Sequence, residues 1–281
     1  SQDGGIWLGG WVRAAGREDD ALLVRLKNRT EDGFEEDRVA EDSVSEVQVH
    51  TWGGSGTERL TGLGGSAEPG GVTAAGWTGS RDGAFEGLQN GHRDAFASGI
   101  GADGQRVWTR TWGASDEDAA AAVSASGRWV TGWSVSGGRG GTFESVGHGW
   151  KDILLAGPLE GGRLGSGALD QGEQGGAATA RRYGGPTHDE GTAVADWADS
   201  GGGVLAGWTL STRWAMNEGA GPEKEKSEKA VREKTTATEA MPEGAVQKPL
   251  SRSTQSEQPG GWQEALLMRF DASGTPMWIR T

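Results

Sequence analysis

The sequence predicts an all-β fold made of about four tandem units, each with four short antiparallel strands. Three observations carry this prediction: a Gly-Trp strand end that recurs four times, an acidic residue that opens an apolar run after each one, and Gly-rich turns between the runs. Short apolar or alternating runs bounded by Gly and Asp are typical of strands. The units are expected at about 1–53, 54–112, 113–183 and 184–281.

Each complete unit is expected to contain four strands, which we call a, b, c and d in chain order. Strand a opens at an acid and is rich in small residues, and a Gly turn leads from it into strand b. Strand c opens at another acid, and a second Gly turn leads into strand d, which ends in an aromatic residue followed by Gly. Strand b ends in the repeated pair, at Gly10-Trp11, Gly76-Trp77, Gly132-Trp133 and Gly207-Trp208.

Four short strands per unit, joined by Gly turns, are the arrangement of a β-propeller blade. Strand a would be innermost, because blades crowd together near the propeller axis and Ala and Gly leave room there. The Gly of each Gly-Trp pair suits a position where two backbones approach closely. The Trp that follows is expected to pack between neighbouring blades, since Trp buries a large apolar area.

The order of the motifs resembles the SBBP-type β-propeller repeat. In the second unit that order is Trp-Gly-Gly at 52–54, a small-residue strand, a strand ending in Gly-Trp-Thr at 76–78, then Asp94 and a strand carrying Trp108. The family is common in large secreted or cell-surface proteins, so the resemblance implies a propeller and a secreted or cell-surface location. It implies no particular reaction and brings no catalytic motif.

Two parts of the chain depart from the repeat. The first unit is expected to lack strand a, because residues 1–5 align with the a–b turn of the third unit. Both ends of the sequence fall out of phase with the repeat, so we favour an excerpt of a larger propeller over a four-bladed ring with one strand missing. Residues 216–258 are rich in Lys, Glu, Ser, Thr and Pro and hold no aromatic residue, so they predict a disordered low-complexity insertion in the last unit.

Charge and composition exclude several classes of partner. The net charge of −13 argues against nucleic acid, because phosphate contacts need clustered Lys and Arg. The absence of any long apolar run argues against membrane insertion. With no Cys, the chain has neither disulfides nor thiolate metal sites.

The sequence indicates no enzyme and no obligatory cofactor. The four His residues are scattered, and no catalytic or zinc-binding motif is present. The acids at repeat positions have two interpretations: they accept backbone N–H groups in turns, or they form a ring of carboxylates that could hold Ca²⁺. The densest acidic cluster contains Asp116 and Asp118, which are the candidate metal ligands.

Three side chains placed just before strand c are candidate ligand contacts. They are Trp150, Trp262 and His92. We expect a non-enzymatic scaffold for protein–protein interaction or assembly, at the cell surface or outside the cell. One variant of this hypothesis, a subunit of a larger assembly, predicts apolar surface where strand a of the first unit is missing. The alternatives are a polysaccharide-binding module that stacks sugars on these aromatic residues, and a propeller-based hydrolase or lyase.

Overall fold

The computed structural model describes residues 5–28, 44–135, 143, 149–159, 179–197, 200–211 and 263–281. These residues form four antiparallel sheets and include one short 3-10 turn at Gly83–Phe85. The predicted all-β fold of tandem antiparallel units is therefore confirmed, whereas a closed propeller is not established. The predicted insertion at 216–258 and the candidate Trp262 lie outside the described residues. None of the described helical residues forms a segment long and apolar enough to cross a membrane.

The first sheet has three strands, and each of the others has four. Neighbouring strands in every sheet follow one another in the chain, so each sheet is a simple meander. The first sheet contains β1 (Ile6–Arg13), β2 (Asp19–Asn28) and β3 (Val44–Trp52), and the second contains β4 (Glu58–Gly64), β5 (Val72–Thr78), β6 (Asp94–Ile100) and β7 (Arg106–Trp112). The third contains β8 (Asp118–Val123), β9 (Val130–Ser134), β10 (Asp152–Gly157) and β11 (Thr179–Tyr183), and the fourth contains β12 (Asp189–Asp196), β13 (Gly203–Thr209), β14 (Glu264–Phe270) and β15 (Pro276–Arg280).

Consecutive sheets pack face to face in chain order. We call the face that meets the preceding sheet the leading face, and the opposite one the trailing face. Between the second and third sheets, the trailing side provides Ala75, Ala95, Ala97 and Trp112, and the leading side provides Ala120, Val130, Leu154 and Ala156. Equivalent clusters lie in the other two junctions, between the first and second sheets and between the third and fourth. Small residues at these positions let the sheets approach closely, and alternation along each strand decides which residues face which neighbour.

The glycine of each Gly-Trp pair in the four-stranded sheets faces a bulge in strand a. The register of strand a shifts directly opposite Gly76, Gly132 and Gly207. A Cβ built on Gly76 would lie 1.9 Å from the carbonyl oxygen of Arg59, and those on Gly132 and Gly207 would lie 2.0 Å from equivalent carbonyl oxygens. Apart from Gly10 and its two chain neighbours, no described residue comes within 4 Å of a Cβ built on Gly10, whose sheet has three described strands and no described strand a.

Trp129 anchors the third sheet to the fourth. It lies just before β9, it is buried, and its ring packs edge-on against Phe270 with a centroid distance of 4.7 Å. A large aromatic residue is accommodated here because the residue beside it, at the end of β10, is glycine: a Cβ on Gly157 would lie 2.5 Å from the Trp129 ring.

Candidate functional site

The described candidate residues lie at one end of the sheets, which we call the junction rim. It consists of the loops that join strands b and c within a sheet and the loops that join strand d of one sheet to strand a of the next. The rim residues that the structure describes are 14–18, 53–57, 79–93, 113–117, 135, 143, 149–151, 184–188, 210–211 and 263.

At two successive junctions, the loop before strand c runs beside the loop that leads into the next sheet and is hydrogen-bonded to it. His92 donates its backbone N–H to the carbonyl oxygen of Asp116 at 3.2 Å, and Trp150 donates its own to Thr187 at 3.1 Å. The residue after each one forms a parallel bridge to the neighbouring loop. Two of the three candidate ligand residues, His92 and Trp150, therefore occupy equivalent positions on the rim.

The acids that open strand a accept hydrogen bonds from the preceding loop. Glu58 accepts the N–H of Gly54 at 3.1 Å, and Asp118 accepts the N–H of Ala114, also at 3.1 Å. Asp189 does the same with Gly185 at 2.8 Å. Threonine hydroxyls at the end of strand b donate to Glu58 and Asp189 as well. Each acid thus ties the end of one sheet to the start of the next.

The acid that opens strand c lies beside the same loop. A Cβ on Gly113 would lie 2.1 Å from Oδ1 of Asp94, and one on Gly184 would lie 2.3 Å from Oδ1 of Asp152. The glycine after the strand-d aromatic residue therefore makes room for a carboxylate from the neighbouring strand. Burial raises the pKa of Asp94 to about 6, and the nearby charge of Asp118 adds to this rise.

The two candidate metal ligands differ in their surroundings. Asp116 is exposed and accepts the hydroxyl of Ser115 at 3.1 Å, whereas Asp118 is buried and faces the loop backbone. Within the described ranges, no group of three or more His, Asp or Glu side chains is placed to hold a metal ion. Calcium binding stays a prediction from the sequence.

Cations alternate with the repeated tryptophans along the rim. The guanidinium of Arg93 lies 4.6 Å from the ring centre of Trp77 and 5.0 Å from that of Trp133. Arg59 bridges Trp11 and Trp77 at 4.6 and 5.7 Å, and the ammonium of Lys151 lies 4.3 Å from Trp133. These contacts join the first, second and third sheets along a line of stacked rings and charges.

Each of these cations is also paired with an acid. Arg59 contacts Asp19 at 2.6 Å, Arg93 contacts Glu117 at 2.9 Å, and Lys151 contacts Glu190 at 3.2 Å. Trp11 is 50% exposed, while Trp77, Trp133 and Trp208 are half-buried. The row of rings and cations is therefore part of the rim surface and its charges are balanced.

Sequence reasoning missed these cations, although a local signal exists. Arg93 and Lys151 each directly precede the acid that opens strand c, and Arg59 directly follows the acid that opens strand a. The pattern that would have pointed to them is a basic residue next to a repeated acid, together with a repeated Trp in the neighbouring unit.

A cleft of about 530 Å³ opens on the rim between the first and second sheets. Its wall includes Arg17, Asp20, Trp52, Gly54, Asp82 and Ala84. Charges of both signs and backbone from two glycine-rich loops line it, so it has the polarity of a small polar binding site and no extended apolar floor.

Among the described large hydrophobic side chains, that of Trp150 is the most exposed. It is 75% exposed, and its ring centre lies 6.2 Å from that of His188 at an angle of 53°. The two rings form an open aromatic corner on the rim, and such a surface can stack against the face of a sugar ring. His92, at the equivalent position of the previous junction, is exposed too.

The leading face of the first sheet is apolar, and no described segment of the chain covers it. Two cross-strand rows run over it, Ile6–Leu26–Val47 and Leu8–Val24–Val49. Four of these side chains are more than half exposed: Ile6 at 54%, Leu8 at 51%, Val47 at 58% and Val49 at 60%. Corresponding positions of the second sheet, such as Val72 and Phe96, are buried against the first sheet. In the part of the chain that the structure describes, no sheet packs against this open leading face.

No family model and no curated protein sequence matches the chain. The resemblance to SBBP-type repeats therefore stays a prediction from the motifs.

Proposed function

We propose that the protein is a non-enzymatic β-sheet scaffold, of the SBBP propeller type, that holds a protein partner at the cell surface or outside the cell. The observation that carries the proposal is the open leading face of the first sheet. Ile6 and Leu8 of β1 and Val47 and Val49 of β3 are each more than half exposed on it. Soluble proteins rarely expose large contiguous apolar patches unless the patch is an interaction site.

The shape of this face favours a protein over a small ligand. It is the flat side of a three-stranded sheet, and it holds aliphatic side chains from all three strands. A small molecule needs a concave pocket to bury most of its surface, whereas a flat apolar area is typical of the centre of a protein interface.

The test compares binding by the wild type and by a variant with a charged face. Val47→Glu combined with Val49→Glu places two carboxylates on the open leading face, where both side chains already meet water. Met277→Glu is the matched control, because Met277 is 54% exposed on the fourth sheet. Immobilised proteins are incubated with cell-envelope and extracellular extracts of the source, and the bound proteins are compared by mass spectrometry.

We expect a partner that the wild type and the Met277→Glu control retain in equal amounts and that the double variant loses or retains in a lower amount. If all three baits retain the same proteins in the same amounts, the open leading face is not a binding surface and the proposal fails.

A second candidate function is polysaccharide binding at the aromatic corner. The exposure of Trp150 beside His188 favours it. Affinity electrophoresis in gels that contain polysaccharides would test it, with Trp150→Ala as the variant. Trp197→Ala serves as the control, because Trp197 is also partly exposed but lies away from that corner, stacked under Arg269. Retardation that is lost only in Trp150→Ala supports this function, and equal mobility of all three proteins contradicts it.

A further inference from the structure

We infer that the partner of the open leading face is the trailing face of the fourth sheet in a second copy of this chain, so that copies dock head to tail. This inference rests on the proposed function and names its partner. Its first support is internal, because the chain makes the same leading-on-trailing contact at each of its three junctions. A fourth contact of the same type continues an interface that the fold already uses.

The trailing face of the fourth sheet is open in the matching way. Ala265 and Leu267 occupy the strand positions of Ala95 and Ala97, which are buried in the junction between the second and third sheets. In the fourth sheet Ala265 is exposed, and Leu267 is 45% exposed. The side chain of leucine is larger than that of alanine, so position 267 offers more apolar area than Ala97 does at the internal junction.

Arg269 provides the second support. It holds the same position in strand c as Arg25 of the first sheet, which is buried and donates to the carbonyl oxygen of Ala102 in the next sheet. Arg269 stacks on Trp197 at 4.5 Å and is half-buried on the trailing face. The trailing face of the fourth sheet thus carries a donor at the position where the first sheet uses one to hold its neighbour.

The size of the surface sets the expected strength. Strand spacing and rise give the open leading face a footprint about 14 Å wide and about 23 Å long. The area of this footprint, about 320 Å², is smaller than the roughly 800 Å² per partner of a stable interface. We therefore expect weak association, with a Kd on the order of 100 μM.

Head-to-tail docking has a distinctive consequence. Each copy has one head, the open leading face, and one tail, the trailing face of the fourth sheet. Such heterologous contacts form rings or open chains and do not stop at a two-fold dimer. A copy with a blocked head can still bind through its tail, and a copy with a blocked tail can still bind through its head. A mixture of the two therefore forms heterodimers and no larger species.

Sedimentation equilibrium of the full chain from about 1 μM to about 1 mM provides the test. The head variant is Val47→Glu with Val49→Glu, and the tail variant is Leu267→Glu. The wild type should grow in mass with concentration, and each variant alone should stay at the 29.2 kDa of one chain. An equimolar mixture of the two variants should approach twice that mass and go no further.

Three results would overturn the inference. A wild type that stays monomeric at every concentration removes self-association, and the binding test with extracts then decides the scaffold proposal separately. A tail variant that still self-associates indicates head-to-head pairing. A mixture that stays monomeric shows that the two faces do not recognise each other. Circular dichroism checks that each variant is folded, and Leu8→Glu for the head and Ala265→Glu for the tail repeat the experiment with different side chains.

Discussion

Replacing the glycine of one Gly-Trp pair should separate backbone crowding from every other role of this motif. In Gly76→Ala, the new Cβ would lie 1.9 Å from the carbonyl oxygen of Arg59 and 3.0 Å from Cα of Leu60. Ordinary contact begins at 3.4 Å, so the bulge of strand a has to move as a unit. No flexible side-chain end is present to give way instead.

The expected cost follows from the nature of the obstacle. Overpacking a core by one or more methylene groups, with the side-chain and backbone shifts that follow, costs about 1–3 kcal/mol and occasionally more. Because the atoms in the way at Gly76 are backbone, we expect a loss of at least about 3 kcal/mol. In a domain of this size that corresponds to a fall in Tm of about 6–12 °C.

Gly10→Ala is the matched control, because it alters the same motif in the sheet without strand a. Apart from the adjacent residues, nothing described lies within 4 Å of the new Cβ, and Ala loses less backbone entropy in a strand than Gly. Its stability should stay within about 0.5 kcal/mol of the wild type, or rise slightly. Both variants can be compared by urea unfolding followed through Trp fluorescence. Equal destabilisation by the two substitutions, or a neutral Gly76→Ala, would refute the reasoning.

Three further predictions concern the junctions. Arg93→Ala should lower the free energy of unfolding by about 1–2 kcal/mol in urea titrations, because the guanidinium lies between two Trp rings, and Arg93→Lys should lose less. Burial raises the pKa of Asp94 to about 6 from an ordinary value of 3.8, so the folded state binds this proton more tightly than the unfolded chain. The favourable contribution is complete below about pH 4 and is lost as the pH rises through 6, so the stability of Asp94→Asn relative to the wild type, measured by thermal unfolding, should increase between pH 4 and 7. Trp129→Ala should lower the free energy of unfolding by about 3–5 kcal/mol in urea titrations, and Trp129→Phe should lower it less. Arg93→Ala at wild-type stability, an Asp94→Asn difference that does not change with pH, or a tolerated Trp129→Ala would each contradict the corresponding contact.

The strands were predictable because their signals are local. The acids at Asp94 and Asp152 open strands in the structure, and the runs that follow them pair as meanders. The missing first strand was visible too, because the segment before β1 aligns with a turn in another unit. Repetition made these signals stronger, since each unit could be compared with the others.

The contacts between sheets were not predictable from any one unit. Arg93 reaches Trp77 in its own sheet and Trp133 in the next, and this depends on how two sheets are set against each other. The sequence around Gly113 gave no sign that this glycine leaves space for Asp94, because the two residues are not close in the sequence and meet only after the strands pair. The exposure of Trp150 likewise depends on which loop crosses it.

Hydroxyl-radical footprinting tests the central claim most directly, because it reports side-chain exposure on the leading faces of two sheets in the same molecule. In dilute solution, Ile6, Leu8, Val47 and Val49 should be oxidised readily, while Val72, Phe96 and Ile100 on the second sheet should be protected. At high concentration the first group should become protected as copies associate, and the second group should not change. Equal protection of both groups in dilute solution would show that the open leading face is already covered within one chain, and would contradict the account.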